Sequence, residues 1–155
     1  MRYSPSTFGD FRCGHCYAMV SSAHFLSGVN NRNHCPYCLW SCHLDLYAAG
    51  DRLSACKGQM KPIGLTLKLG RNKYRRGSGG ELMIIHQCSD CGTLSINRIA
   101  ADDDTETILA VFEASIEERI HVFCESNGIA ALQPNDSYIL HRQLYGSREA
   151  PVPVW

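Results

Sequence analysis

The run Arg32-Asn33-His34-Cys35-Pro36-Tyr37-Cys38, read together with Cys13-Gly14-His15-Cys16, decides the reading of this chain. Two Cys-x-x-Cys pairs separated by 18 residues match the spacing at which four thiolates close on one zinc ion. A two-residue gap lets a tight turn aim two sulfurs at the metal, and a second turn completes the tetrahedron. Four protein sulfurs leave no position for water or substrate, so such a site holds a fold together and activates no nucleophile. The alternative, two unrelated redox pairs of the thioredoxin type, requires a strand before one pair and a helix opening at it. Neither flank has that pattern.

At 155 residues the chain suits one domain, or a small metal-held domain with an appendage. Nine cysteines on a chain whose first residues, Met1 to Gly9, lack the basic-then-apolar order of an export signal point to metal ligation in a reducing, cytoplasmic compartment. No apolar run reaches the 18 residues of a membrane span. The formal net charge is zero, but residues 1–98 hold 12 Lys and Arg against 5 Asp and Glu (+7), and residues 99–155 hold 3 against 10 (−7). Two zinc ions with about seven thiolates add about −3 to the first half and leave it basic. That asymmetry suits a polyanion at one end and a different task at the acidic end. The acidic segment packing on its own basic half is the competing explanation.

Between Cys16 and Cys35, turn residues dominate and a loop-rich ribbon is expected. Leu39 to Leu46 is read as a helical turn or two, with Trp40 covering the ribbon. Ile63 to Leu69 alternates, Gly70 to Gly80 is rich in glycine and charge, and Glu81 to His86 forms a partner strand, so this stretch is a β-hairpin. Its second strand delivers Cys88-Ser89-Asp90-Cys91, and Cys56 joins these two as a third ligand of a second site. The fourth is His43, His86 or Cys42. His43 is favoured because it leaves the first site 13 residues before Cys56, and His86 is the rival because it shares a strand face with Cys88. A three-ligand site with water would instead be catalytic.

Asp102-Asp103-Asp104 ahead of an apolar-periodic run reads as a helix start, with Asp103 and Glu106 spaced as a capping box; a carboxylate cluster for a divalent cation is the alternative. One helix is predicted from Thr105 to Ser126, with Leu109, Phe112, Ile116, Ile120 and Phe123 on one stripe. Cys124 beside it is a small buried hydrophobe, and the segment after Arg148 is a Pro-containing tail. The expected fold is α+β: a small zinc-ribbon-like domain over 10–104 with two zinc knuckle sites and a hairpin, then an acidic helical extension over 105–155.

Several stretches, among them Arg32-Asn33-His34-Cys35-Pro36, Cys38-Leu39-Trp40-Ser41, His43-Leu44-Asp45, Gly50-Asp51-Arg52, Cys56-Lys57-Gly58, Met60-Lys61-Pro62-Ile63, His86-Gln87-Cys88-Ser89-Asp90-Cys91-Gly92 and Asn97-Arg98-Ile99-Ala100, resemble the RNHCP family over about residues 10–104. The resemblance implies a zinc-binding domain and includes a histidine at position 43. Ala101 stands where the pattern has glycine, and Cys42 is not part of it.

The metal ligands expected for two Zn2+ ions are therefore Cys13, Cys16, Cys35 and Cys38, then His43, Cys56, Cys88 and Cys91. Lys68, Arg71, Lys73, Arg75 and Arg76 surround Tyr74 at the hairpin tip, where long cations meet phosphates and an aromatic stacks on an unpaired base. Arg32 and Arg98 extend this surface, or else they hydrogen-bond the knuckle loops. The leading expectation is RNA binding, on the ribosome or another RNA–protein assembly. A nuclease or hydrolase using the second zinc, or a cation at Asp102 and Asp103, with His34 or His86 as base, is the second. A scaffold docking a protein partner through 105–126 is the third.

Overall fold

A computed structural model describes residues 10–29, 32–44, 53–68 and 80–146. Strands β1 (Phe11–Arg12) and β2 (Met19–Val20) pair antiparallel around the first knuckle, and a four-residue helix α1 (His24–Ser27) follows. Strands β3 (Ser41–Cys42), β4 (Gln59–Lys68), β5 (Glu81–Cys88) and β6 (Leu94–Arg98) form an antiparallel sheet in that spatial order. The helical end of the chain comprises α2 (Thr105–Glu117), α3 (Ile120–Ser126), a 3-10 turn (Pro134–Asp136) and α4 (Ser137–Tyr145). No helix among the described residues is long and apolar enough to cross a membrane.

The hairpin read from alternation is β4 and β5, which pair from Met60↔Cys88 to Lys68↔Glu81 with a bulge between Pro62 and Gly64. The bulge falls at the residue with no backbone donor, where a ladder bond is absent in any case. Successive residues of β5 serve different clusters, as strand alternation dictates. Leu82 and Ile84 pack with Leu39, Leu65, Ile108, Phe112, Leu132 and Leu140, whereas Ile85 packs with Ile63, Cys124 and Ala131. Helix α2 lies on β4, so one core crosses the boundary expected at residue 104. The acidic helical end completes the sheet's interior and is no appendage.

Three local expectations are corrected. Leu39 to Leu44 forms no helical turn among the described residues: Ser41 and Cys42 pair with Met60 and Gln59 and open the sheet. The helix over 105–126 breaks at Arg119, whose backbone is left-handed at φ 52°. Glu117 and Glu118 sit at the C-terminal end of α2 with no base in its last turn, a charge order that opposes the helix dipole. The break lets Ile120 join the Cys124 cluster, and it leaves Phe123 at 40% exposure where a continuous stripe would place it inside. Finally, the N-cap of α2 is Asp104, which accepts from the Thr107 N–H at 3.0 Å; Asp103 takes no part in a capping box.

Asp103 is instead the centre of a buried ionic cluster. Its Oδ1 accepts from Arg32 Nη2 at 3.1 Å, and its Oδ2 lies 2.6 Å from His34 Nε2 and accepts from the Ala100 N–H at 2.8 Å. Arg32 Nη1 also donates to both Asp102 oxygens, at 2.7 and 2.8 Å, and Nε donates to the His34 carbonyl. Removing one partner of such a buried set leaves uncompensated charge, which costs more than a surface cap. Asp103→Ala should therefore destabilise the zinc-loaded protein by about 3–5 kcal/mol and Asp104→Ala by about 1 kcal/mol, measured by urea denaturation. In the same assay Arg119→Gly should stabilise it by up to about 1 kcal/mol, because glycine meets no Cβ penalty at a left-handed position.

Candidate metal centres

Three of the cysteine loops fold into the same knuckle. The amide of each first cysteine donates to a carbonyl five residues on, Cys13 to Ala18, Cys35 to Trp40 and Cys88 to Thr93, at 2.8–2.9 Å. The residue after each second cysteine donates back to the first cysteine's carbonyl, Tyr17 to Cys13, Leu39 to Cys35 and Gly92 to Cys88, at 2.9–3.0 Å. Closing this loop requires a left-handed residue after the second cysteine: Tyr17 has φ 65°, Leu39 64° and Gly92 80°. Only glycine takes that conformation freely; a Cβ there costs about 1–2 kcal/mol. Within the first two knuckles, backbone N–H groups of His15, Cys16 and Tyr37 point at cysteine sulfurs at 3.3–3.5 Å, as they do toward thiolates.

The knuckles meet in two groups. Cys13, Cys16, Cys35 and Cys38 form one, and His43, Cys56, Cys88 and Cys91 the other, with all donor atoms of each group within 4.8 Å of one another. Sulfurs on different loops approach to 3.5 Å (Cys13–Cys38 and Cys16–Cys35) and 3.6 Å (Cys56–Cys88), and His43 Nδ1 lies 3.3 Å from Cys91 Sγ. These separations far exceed a disulfide bond, and none of the nine cysteines is in a disulfide. A tetrahedral zinc with bonds of about 2.3 Å sets its sulfurs about 3.8 Å apart, so both donor sets fit zinc with slight expansion. The chain thus holds two zinc-binding groups, one of four sulfurs and one of three sulfurs with an imidazole nitrogen.

The thiols are unequal before metal enters. Hydrogen bonds from Cys38 and from backbone N–H groups outweigh burial and hold Cys35 down at about 5; the same contact pushes Cys38 well above the usual thiol range. The Thr93 hydroxyl and N–H hold Cys91 down at about 6. Each group therefore presents a thiolate at neutral pH, and zinc entry must displace protons from thiols held up beside it, Cys38 in the first group and Cys56 in the second.

The rivals of His43 are otherwise engaged. His86 is fully buried; its Nε2–H donates to the Leu39 carbonyl at 2.7 Å and its Nδ1 accepts from Asn97 Nδ2 at 2.8 Å. Both ring nitrogens are used, and burial, with His34 nearby, pushes its pKa down to about 3. Cys42 is buried outside both groups, with its sulfur 3.5 Å from the Lys57 carbonyl. Gly58 is required beside the second group: a Cβ there would lie 2.9 Å from Cys88 Sγ and 2.7 Å from the Asp90 carboxylate.

Other expected site residues fare differently. Arg32, expected at a nucleic-acid surface, has a fully buried side chain whose guanidinium is spent on Asp102 and Asp103. That same pairing replaces the divalent cation considered at these aspartates. His34, considered as a base, is 2% exposed and bound to Asp103. A water-activating second zinc is also displaced, since four protein donors converge there. Phe112, on the helix considered for docking a partner, faces the chain's own core. Arg98 is 60% exposed and pairs with Glu81, and Lys68 is exposed at the end of β4. Arg71, Lys73, Tyr74, Arg75 and Arg76 lie outside the described residues. Sequence reasoning places Trp40 over the ribbon but misses its partner: the His15 ring lies flat on it, with centroids 4.0 Å apart and an interplanar angle of 4°.

A family model described as the RNHCP domain matches residues 8–109. The chain belongs to the RNHCP family. No curated protein and no solved structure matches it. The family segment contains both zinc groups and the Asp102–Asp104 turn, and it stops within α2. The family's eponymous run acts here residue by residue. Arg32 and His34 bind Asp103, and Asn33 Nδ2 donates to the Cys42 carbonyl at 3.4 Å. Cys35 is a ligand candidate, and the Pro36 carbonyl accepts from the Asp104 N–H at 2.8 Å.

Elemental analysis of the purified protein should give two zinc ions per chain, falling to one in Cys35→Ala or His43→Ala and staying at two in His86→Asn, Cys42→Ser and Cys124→Ser. Cobalt substitution should yield the charge-transfer bands of one all-thiolate site and one site of three thiolates and a histidine, with uptake releasing protons and weakening as the pH falls.

Proposed function

We propose that this RNHCP protein binds RNA through the basic hairpin, as a zinc-stabilised module of the ribosome or another RNA–protein assembly in the reducing cytoplasm. One observation carries the reading: β4 and β5 stay paired to Lys68↔Glu81. Lys68 and Glu81, the residues that bracket Arg71, Lys73, Tyr74, Arg75 and Arg76 in the sequence, therefore lie side by side at one end of the sheet. Arg98, which pairs with Met83 in register and with Glu81 through its side chain, adds an exposed guanidinium at the same end. Lys68 and Arg98 are exposed at that end, and the sequence between Lys68 and Glu81 adds four further cations, a composition that suits a phosphate backbone. Among the described residues, the basic half carries no helix longer than the four residues of α1, so nothing there fills a DNA major groove. The zinc groups contribute shape and no chemistry.

Replacing Lys68, Arg71, Lys73, Arg75 and Arg76 with glutamine should weaken binding to structured and single-stranded RNA. It should also flatten the dependence of log affinity on log salt by about 0.7 for every single-strand phosphate no longer neutralised. Zinc stoichiometry should remain two. Wild-type protein showing no salt-dependent RNA affinity in a filter-binding titration would overturn the proposal.

A further inference from the structure

The three matching knuckles allow an internal comparison. At the strained position after the second cysteine, Gly92 is the relaxed choice, and Leu39 offsets its strain by complete burial in the core. Tyr17 does neither: its backbone is left-handed at φ 65° and the residue is 70% exposed. A strained residue that stability does not account for marks a functional surface.

The neighbouring rings indicate what that surface takes. Tyr37, at the tip of the second knuckle of the same zinc group, is 62% exposed. His15, between Cys13 and Cys16, is exposed and lies flat on Trp40 with centroids 4.0 Å apart, so the two-ring stack is open on the histidine side. A planar heterocycle continues such a stack at its own spacing, whereas an aliphatic side chain does not. Arg12, exposed on β1 next to Cys13, supplies a cation for a phosphate.

We propose that the first zinc group carries a stacking site for unpaired bases of single-stranded RNA, formed by His15, Tyr17 and Tyr37, with Arg12 on the backbone. The site rests on the RNA-binding reading but is separate from the hairpin tip. β4 runs about 26 Å from Met60, beside the Gln59 contact to the Gly14 carbonyl of the first knuckle, to the exposed Lys68, so a strand of several nucleotides is needed to reach from one end to the other. Aromatic–base stacking is indifferent to base identity, so the site selects unpaired over duplex RNA.

The test uses zinc-loaded full-length protein with Trp155→Phe, which leaves Trp40 as the only tryptophan. Single-stranded oligoadenylate should quench Trp40 emission, and duplex RNA of equal length should not. Tyr17→Ser with Tyr37→Ser should weaken oligoadenylate binding about tenfold with two zinc ions retained, and Tyr17→Phe should preserve it. Tyr17→Gly supplies the readout that a purely structural role does not produce: its thermal midpoint should rise while its RNA affinity falls. If the glutamine hairpin variant loses RNA binding but the tyrosine variants bind as wild type with unchanged Trp40 emission, the stacking site is wrong and the RNA reading stands. Wild-type protein without RNA affinity overturns both.

Discussion

Asp103 ties the metal-held and the apolar parts of this molecule together. Its two oxygens receive Arg32 and His34, from the segment leading into the second knuckle, and the Ala100 amide, from the turn leading into α2. All three side chains are essentially excluded from water. A carboxylate removed from solvent is tolerated only when its oxygens are paired, and here both are. The knuckle bearing Cys35 and Cys38 is therefore fixed to the helix start, and the Pro36 to Asp104 backbone bond repeats the link one residue further along.

Two means of stabilisation divide the chain. The first zinc group adjoins a small cluster of Phe11, Cys13, Val20 and Cys35, too little apolar surface to order a loop-rich segment without metal. The sheet beyond it has an ordinary core, built from β4 and β5 against α2 and α4. The second zinc group sits where the two meet, since Cys88 ends β5 and His43 follows β3. Gln59 bridges the groups by donating to the Gly14 carbonyl at 2.9 Å. The polar signature around Cys35 therefore serves assembly: its arginine and histidine act on Asp103, and only its cysteine faces the metal.

The charge asymmetry of the sequence has a double resolution. Part of the acidic half does pack on the basic half, through Asp102 and Asp103 on Arg32. Arg98 enters no such buried pairing, and its contact with Glu81 is exposed on both sides. An exposed ion pair of that kind contributes little and leaves the guanidinium accessible to a phosphate.

The sequence by itself determined what is local. Cysteine spacing specified the knuckles, alternation β4 and β5, and apolar periodicity α2, because each is governed by interactions within a few residues. Tertiary structure decided what depends on partners far along the chain. His43 prevailed over His86 because strand register carries His86 into the sheet, against Asn97 and the Leu39 carbonyl. Asp103 reads as a helix cap until Arg32 and His34, about seventy positions away, are folded against it. The helix break at Arg119 carries no glycine or proline to announce it, since it arises from the packing that Ile120 and Cys124 find beside Ile63 and Ile85. Spacing and periodicity record short-range geometry, whereas burial and long-range pairing set which polar groups are free, and that is where the chain alone could not separate a structural arginine from a binding one.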